Sequence, residues 1–214
     1  MLFVQDEESR ALLAGIGVDN VVVAGDTRFD RVTDILEDHT DLPVVESFSR
    51  GAFTLFVGSS WQPDEDFIIP YFNKHPVLTG LKRPAVRYTK TTPEEAAEAD
   101  CLIIDCYGIL SKSYRFATVA YVGGGFGVGI HNINEAAVYG IPVVFGPKYG
   151  KFKEARDLIA LEGAFTVSGG DEYALVMNRL LSDGEYLKKH GEIAGGYIRD
   201  NLGATRRIYD AIFK

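Results

Sequence analysis

Short runs rich in β-branched residues alternate with amphipathic stretches along almost the whole chain, and this alternation constrains the fold more than any other feature of the sequence. The pattern is typical of a parallel sheet covered by helices on both faces. We therefore predict an α/β fold with a Rossmann-like doubly wound parallel sheet. A first short strand is expected at residues 1–4, and the others at 20–24, 52–57, 85–88, 101–105, 119–122, 142–145 and 164–167.

The composition indicates an acidic, folded protein. Its 214 residues are 46% hydrophobic and 24% charged, which is enough to bury a core. The formal net charge of -8 argues against nucleic-acid binding, because phosphate backbones attract basic surfaces. We find no membrane-spanning apolar run and no signal peptide. The two cysteines form no metal-ligand motif, so neither a metal nor a cofactor is expected.

A glycine-rich turn between a predicted strand and a predicted helix at residues 133–139 is the leading candidate site. Gly123, Gly124 and Gly125 allow the backbone to approach a ligand closely. Free N–H groups in such a turn, together with the dipole of the following helix, favour an anionic ligand such as a phosphate. The alternative is a tight strand-to-helix turn that binds nothing.

Polar residues next to the turn favour the ligand-binding interpretation. Asn132 and Glu135 are three residues apart and are expected on one face, where a carboxylate suits a ribose diol and an amide suits a phosphate. Glu135 is alternatively a first-turn acid that only complements the helix dipole. His131 has no nucleophile or metal-ligand cluster beside it in the sequence, so we assign it a positioning role.

A second group of candidates follows the strand predicted at residues 52–57. Ser59 and Ser60 are expected at its carboxyl end, which is where open α/β sheets bind ligands. Their hydroxyls suit a phosphate or a sugar acid. The alternative is helix capping by Ser60 or Asp64.

Three basic residues are candidates for contacting a bound anionic ligand. Arg87, Lys90 and Lys148 are the candidate anion contacts, although each is also an ordinary surface residue when considered singly.

The N-terminal part contains a run of alternating charges followed by a polar stretch. Asp26, Arg28, Asp30 and Arg31 are predicted to form a structural network that fixes a linker. Residues 38–51, which include Pro43, are predicted to be that linker. We therefore expect residues 1–42 to be the end of one domain with its linker, and residues 43–214 to be a second, ligand-binding domain.

Three ordered motifs, at residues 25–32, 58–66 and 121–152, resemble those of the 3-deoxy-D-manno-octulosonic acid (Kdo) transferases. The resemblance extends over nearly the whole chain. It implies the C-terminal, donor-binding domain of an inverting GT-B glycosyltransferase, which moves Kdo from CMP-Kdo to a lipid A precursor in lipopolysaccharide biosynthesis.

The resemblance also assigns roles to individual residues. Ser59 and Ser60 match the loop that faces the donor, and residues 123–125 match the glycine turn. Glu135 would hold the ribose and Asn132 the phosphate side of CMP. His131 belongs to the same donor-binding motif.

The resemblance also implies an acceptor and a membrane surface that the full-length protein would contact through another domain. The catalytic base and the acceptor-binding surface would belong to an N-terminal domain that is lacking here, so we expect no catalytic residue in this chain and no turnover by it alone. The full-length protein would associate peripherally with the cytoplasmic face of the inner membrane of a Gram-negative bacterium, while this part would be soluble.

The sequence departs from the family pattern at two places. Residues 72–85 are too short for the strand and helix expected there, and Ile109 occupies a position where many relatives have Glu. Two other interpretations are kept open. One is a GT-B transferase or epimerase that uses a UDP-sugar, and the other is a non-catalytic module that binds sugar nucleotides.

Overall fold

The computed structural model describes residues 1–74 and 85–214. The short segment in which the sequence departs from the family pattern falls largely on residues 75–84 and so lies outside the described residues.

The described residues form parallel strands connected by helices, which confirms the predicted α/β class. The strands are β1 (Leu2–Val4), β2 (Val21–Val23), β3 (Leu55–Gly58), β4 (Ala85–Arg87), β5 (Cys101–Ile103), β6 (Val119–Val122), β7 (Val143–Phe145) and β8 (Ala164–Thr166). Each strand overlaps a predicted one. The β-branched and aromatic residues of each strand explain this agreement, since these side chains pack well on a pleated surface.

Helices cover the strands and follow them in the chain. They are α1 (Glu7–Ala14), α2 (Thr27–Glu37), α3 (Pro43–Ser49), α4 (Gln62–Lys74), α5 (Pro93–Ala97), α6 (Leu110–Ser113), α7 (Asn134–Ala137), α8 (Lys153–Ala160), α9 (Gly170–Ser182), α10 (Gly184–Asp200) and α11 (Ala204–Phe213). None of the helices in residues 1–74 and 85–214 is both long and apolar enough to cross a bilayer.

The main sheet has the order β3-β6-β7-β8, and all of its pairings are parallel. Strands β3 and β6 are neighbours although β4 and β5 lie between them in the chain. This is a topological switch point, and in open α/β sheets a ligand crevice forms there, outside the carboxyl ends of the strands. Within the described residues, β1–β2 and β4–β5 form two separate two-stranded sheets.

Both faces of the main sheet are buried. Val119 and Tyr121 face one core cluster, with Tyr173 and Met177 of α9. Ala120 and Val122 face the other cluster, which is completed by residues of α2, α7, α8 and α10. All four residues of β6 are buried, as expected for a central strand of a parallel sheet.

The predicted network around residues 26–31 is present and joins α2 to the larger sheet region. Arg28 donates to both oxygens of the buried Glu154, at 2.9 and 3.2 Å, and also to Asp26. Asp30 accepts backbone hydrogen bonds from Gly203 and Thr205, both at 2.6 Å. Asp26, Arg28 and Asp30 therefore form a structural network, but it contacts Glu154 and the start of α11 rather than the predicted linker, and the Arg31 side chain has no hydrogen-bond or ion-pair partner among the described residues.

The predicted linker at residues 38–51 was wrong in part, because α3 occupies most of its second half. Pro43 begins this helix rather than interrupting structure, and the first helical position is where proline is tolerated best. Val45 is fully buried against the core. The division of the chain into domains at residue 42 stays a prediction.

Candidate functional site

Three loops converge at the carboxyl edge of the main sheet. They follow β3 (residues 58–61), β6 (residues 123–133) and β7 (residues 146–152). A Cβ atom added to Gly123 would lie 2.3 Å from the Ser59 carbonyl oxygen, and one added to Gly125 would lie 2.6 Å from Gly146 Cα. Only glycine permits such close approach of main chain to main chain. These buried glycines therefore bring the three loops together.

A buried carboxylate connects the first two loops. Asp64, in the first turn of α4, is completely buried and accepts the Tyr121 hydroxyl at 2.6 Å. Its other oxygen accepts the backbone N–H groups of Trp61 at 2.9 Å and Gly124 at 3.3 Å. Burial, and then the hydrogen bond to Asp64, raise the pKa of Tyr121 far above its usual range, so its hydroxyl stays a donor. Asp64 thus fixes the loops on either side of the crevice.

The glycine turn is held partly by its own backbone. The N–H groups of Gly127 and Gly129 donate to the Gly124 carbonyl, and that of His131 donates to the Gly123 carbonyl at 3.1 Å. The amides of Gly123 and Gly124 are occupied as well. Among the described residues, the amides at 125, 126, 128, 130 and 132 donate no hydrogen bond. Half of the amides of residues 123–132 therefore have no acceptor among the described residues.

The helix after the turn is shorter than predicted. The sequence pattern predicts residues 133–139, but α7 contains four residues, Asn134–Ala137, and has no side-chain cap. A helix of one turn sums few peptide dipoles, so its contribution to anion binding is small. Side chains and loop amides must therefore supply most of any anion recognition.

Asn132 and Glu135 lie together as predicted. Asn132 Nδ2 donates to Glu135 Oε1 at 3.1 Å, and Asn132 Oδ1 accepts the Asn134 backbone N–H at 3.2 Å. The other Glu135 oxygen has no hydrogen-bond partner among the described residues and is available to accept from a ligand hydroxyl. Burial, and then the nearby Glu135 carboxylate, raise the pKa of Tyr114, whose hydroxyl lies against Gly58 at the end of β3. Glu135 is therefore placed near the same crevice.

The two predicted serines follow β3, as expected. Ser59 is exposed and has a φ of 53°, a left-handed conformation that non-glycine residues seldom adopt. The Ser60 hydroxyl donates to Glu65 Oε1 at 2.9 Å, so it offers a ligand only acceptor capacity. The capping alternative holds in part, because Asp64 accepts the Trp61 amide at the start of α4.

The three predicted cations lie in different surroundings. The amine of Lys148 donates to the Gly127 carbonyl at 2.8 Å, which holds this side chain against the glycine turn. Arg87 belongs to the separate β4–β5 sheet and pairs with Asp105 at 3.3 Å. Lys90 is exposed in the 3-10 turn that follows β4. The structure joins only Lys148 directly to the turn, and the anion-binding roles of all three stay predictions.

Two buried polar residues near the site carry no clear sequence signal. Asp64 lies in an acidic run that is equally typical of a solvated first helical turn. Asn134 is completely buried, and neither polar atom of its side chain has a hydrogen-bond partner in the described part of the chain. No group of three or more His, Cys, Asp and Glu side chains in residues 1–74 and 85–214 is arranged to hold a metal ion.

Comparison with known proteins finds relatives with one shared name. No protein-family model matches the chain. It is 36% identical over 114 residues to a 3-deoxy-D-manno-octulosonic acid transferase of Aquifex aeolicus, covering 51% of this chain and 32% of that protein. It is 22% identical over 210 residues to the enzyme of the same name from Rickettsia prowazekii, covering 87% of this chain and 45% of that protein. The chain is a relative of the Kdo transferases.

The solved structures agree on the fold. The chain superimposes with a TM-score of 0.59 and 18% identity on the C-terminal CMP-Kdo binding domain of WaaA from Acinetobacter baumannii, covering 81% of this chain and 99% of that one. It also superimposes on HepE from Anabaena, which was solved with UDP and glucose, with a TM-score of 0.54 and 12% identity. This match covers 99% of this chain and 61% of that one. The predicted resemblance to Kdo transferases and the GT-B fold class are confirmed. The chain spans less than half the length of the two curated relatives described above.

Proposed function

We propose that this chain is the donor-binding part of a Kdo transferase and holds the CMP moiety of CMP-Kdo in the crevice between β3 and β6. One observation supports this proposal most strongly. The Ser59 loop, the glycine turn and the Asn132–Glu135 pair meet at the carboxyl ends of two adjacent parallel strands. The curated relatives are Kdo transferases and a neighbour of the same fold is a CMP-Kdo binding domain, so CMP is the nucleotide that we propose.

The binding roles follow from the free hydrogen-bonding groups. Glu135 Oε2 accepts a ribose hydroxyl, while Asn132 orients Glu135 through their hydrogen bond. The unoccupied amides of the glycine turn and the exposed Ser59 hydroxyl donate to the phosphate. Fixed donors aimed at a CMP leaving group would stabilise the negative charge that develops on it during transfer. Neither a metal nor a cofactor enters this proposal.

The complete reaction needs a partner domain. An inverting transfer requires a base that deprotonates the attacking acceptor hydroxyl. By family resemblance that base, the lipid A precursor site and the contact with the inner membrane belong to an N-terminal domain. We therefore expect this chain alone to bind donor weakly and to transfer no Kdo. Transfer by the purified chain would contradict this arrangement.

Calorimetric titration with CMP tests the binding site. Loss of a hydrogen bond to a charged group costs roughly 1.5–3 kcal/mol, so Glu135→Ala should weaken CMP binding by about 10-fold to 100-fold. Glu185→Ala, in the exposed first turn of α10, serves as the matched control and should bind CMP like the wild type. Equal CMP affinity of Glu135→Ala and the wild type would remove Glu135 from the site.

The similarity to HepE keeps a UDP-sugar enzyme as the second candidate, since that protein was solved with UDP. Thermal-shift measurements with CMP and UDP at equal concentrations separate the two. Stronger stabilisation by UDP would favour the UDP-sugar enzyme. A non-catalytic module would bind CMP but would still transfer no Kdo after a complete N-terminal half is restored.

A further inference from the structure

Trp61 has a fixed backbone and an unburied side chain. Its N–H donates to Asp64, and its carbonyl accepts the N–H groups of Asp64 at 2.8 Å and Glu65 at 3.1 Å. The residue is nevertheless 62% exposed at the rim of the crevice. Tryptophan is highly buried on average, so core packing does not explain this position.

The indole of Trp61 makes one directional contact, which crosses the crevice to the glycine turn. Its Nε1–H donates to Nε2 of His131 in a long hydrogen bond of 3.5 Å. The His131 ring also packs close to Gly124, because a Cβ atom there would lie 3.0 Å from His131 Cδ2. The backbone N–H of His131 is fixed by the Gly123 carbonyl. The imidazole therefore lies between the indole and the turn.

This contact favours one tautomer of the imidazole. The indole N–H is only a donor, so Nε2 of His131 must be the acceptor and carries no proton. In a neutral ring the proton is then on Nδ1, which has no hydrogen-bond partner among the described residues. The Nδ1–H group is left as an uncharged donor beside the loop amides that are also free.

We propose that Trp61 is a positioning residue that holds His131 in its Nδ1–H tautomer, so that His131 donates to the phosphate of a bound nucleoside monophosphate. This inference rests on the proposed function, because it concerns the same site. The ligand is identified by its chemistry, since an anionic oxygen accepts from an N–H group and cannot donate to a bare imidazole nitrogen.

Long-range ¹H–¹⁵N correlation spectra of the histidine rings test this proposal directly. They are recorded on the whole chain without ligand at pH 8, where a histidine of ordinary pKa is neutral. The chain has four histidines, and His131→Gln assigns the relevant signals. The wild type should show the Nδ1–H pattern at His131. Trp61→Phe keeps an aromatic ring but loses the donor, so its His131 should shift towards the Nε2–H form.

Calorimetry with CMP on the same proteins tests the ligand contact. Trp61→Phe should weaken CMP binding about threefold to tenfold, as expected for one neutral hydrogen bond. His131→Gln should weaken it by at least as much. Phe at position 61 leaves the buried Asp64 contacts intact, and an unchanged circular dichroism spectrum verifies that the fold is retained.

Each outcome is decisive. An Nε2–H tautomer in the wild type, or an unchanged tautomer in Trp61→Phe, would overturn the positioning role. A changed tautomer with unchanged CMP affinity would overturn the contact between Nδ1 and the phosphate. Failure of the wild type to bind CMP would refute the proposed function and that ligand contact, while the tautomer measurement would still decide the Trp61–His131 interaction by itself.

Discussion

Removal of the Asp64 carboxylate should destabilise the protein by several kcal/mol. In Asp64→Ala, the Tyr121 hydroxyl and the Gly124 amide become buried donors without an acceptor, and the partly buried Trp61 amide loses its acceptor as well. Each of the two buried donors costs about 1–3 kcal/mol, so the free energy of unfolding should fall by roughly 2–6 kcal/mol. That is a large part of the stability of an ordinary domain.

Urea unfolding followed by far-ultraviolet circular dichroism measures this loss. Tyr121→Phe is the first comparison and should cost about 1–3 kcal/mol, since both backbone donors keep their acceptor but the buried Asp64 Oδ1 loses its hydrogen-bond partner. Asp64→Asn is the second, because its side-chain oxygen can accept the two amides while its nitrogen donates to the Tyr121 hydroxyl. It should cost less than Asp64→Ala.

A double-mutant cycle identifies the hydrogen bond itself. Once Tyr121 is replaced by Phe, one donor fewer is stranded, and Asp64→Ala should then cost about 1–3 kcal/mol less than in the wild type. A loss below about 1 kcal/mol for Asp64→Ala, or strict additivity of the two substitutions, would refute the role of Asp64 as a buried clamp between the loops.

Three other substitutions have defined outcomes. Asn134→Leu should raise the free energy of unfolding by about 1–3 kcal/mol, because it removes two buried polar atoms that lack partners; lower stability in urea would contradict this. For Asp30, partial burial raises the pKa, but backbone hydrogen bonds lower it overall. The stability it contributes is therefore complete above the unfolded-state pKa of about 3.9 and is lost as the pH falls through the lower folded-state pKa. Thermal unfolding between pH 7 and pH 3 should show a shallower acid loss in Asp30→Asn, and an unchanged slope would refute the argument. Gly125→Ala should lower the free energy of unfolding in urea by about 1–3 kcal/mol, because its Cβ would meet backbone at 2.6 Å. Gly127→Ala should be nearly neutral, because the nearest neighbour of its Cβ would be at 3.4 Å. Equal losses of stability in the two variants would contradict the close-packing argument.

The sequence predicted the strands well, while the binding roles of the candidate site residues stay predictions. Strand positions follow from short β-branched runs, and this local signal survives without knowledge of the tertiary structure. The carboxyl ends of parallel strands share one edge, so the pairing of β3 with β6 brings the loops that contain Ser59 and Gly123 together. Their loops do pack against each other.

The features that sequence reasoning missed depend on contacts between distant residues. Asp64 and Gly124 are 60 positions apart, and nothing in the local pattern distinguishes a buried clamp from a solvated acid. Pro43 was taken as a linker signal, although proline is equally suited to begin a helix. The length of α7 was overestimated because Val138 and Tyr139 extend the apolar pattern beyond the helix.

The position of Trp61 gives the molecule an optical property. It is the only tryptophan in the sequence, and it stands at the mouth of the crevice with most of its surface in water. Nearly all emission excited at 295 nm therefore originates at one point on the rim, within contact distance of His131. Ligand binding at the crevice can therefore be followed by intrinsic fluorescence without any attached dye.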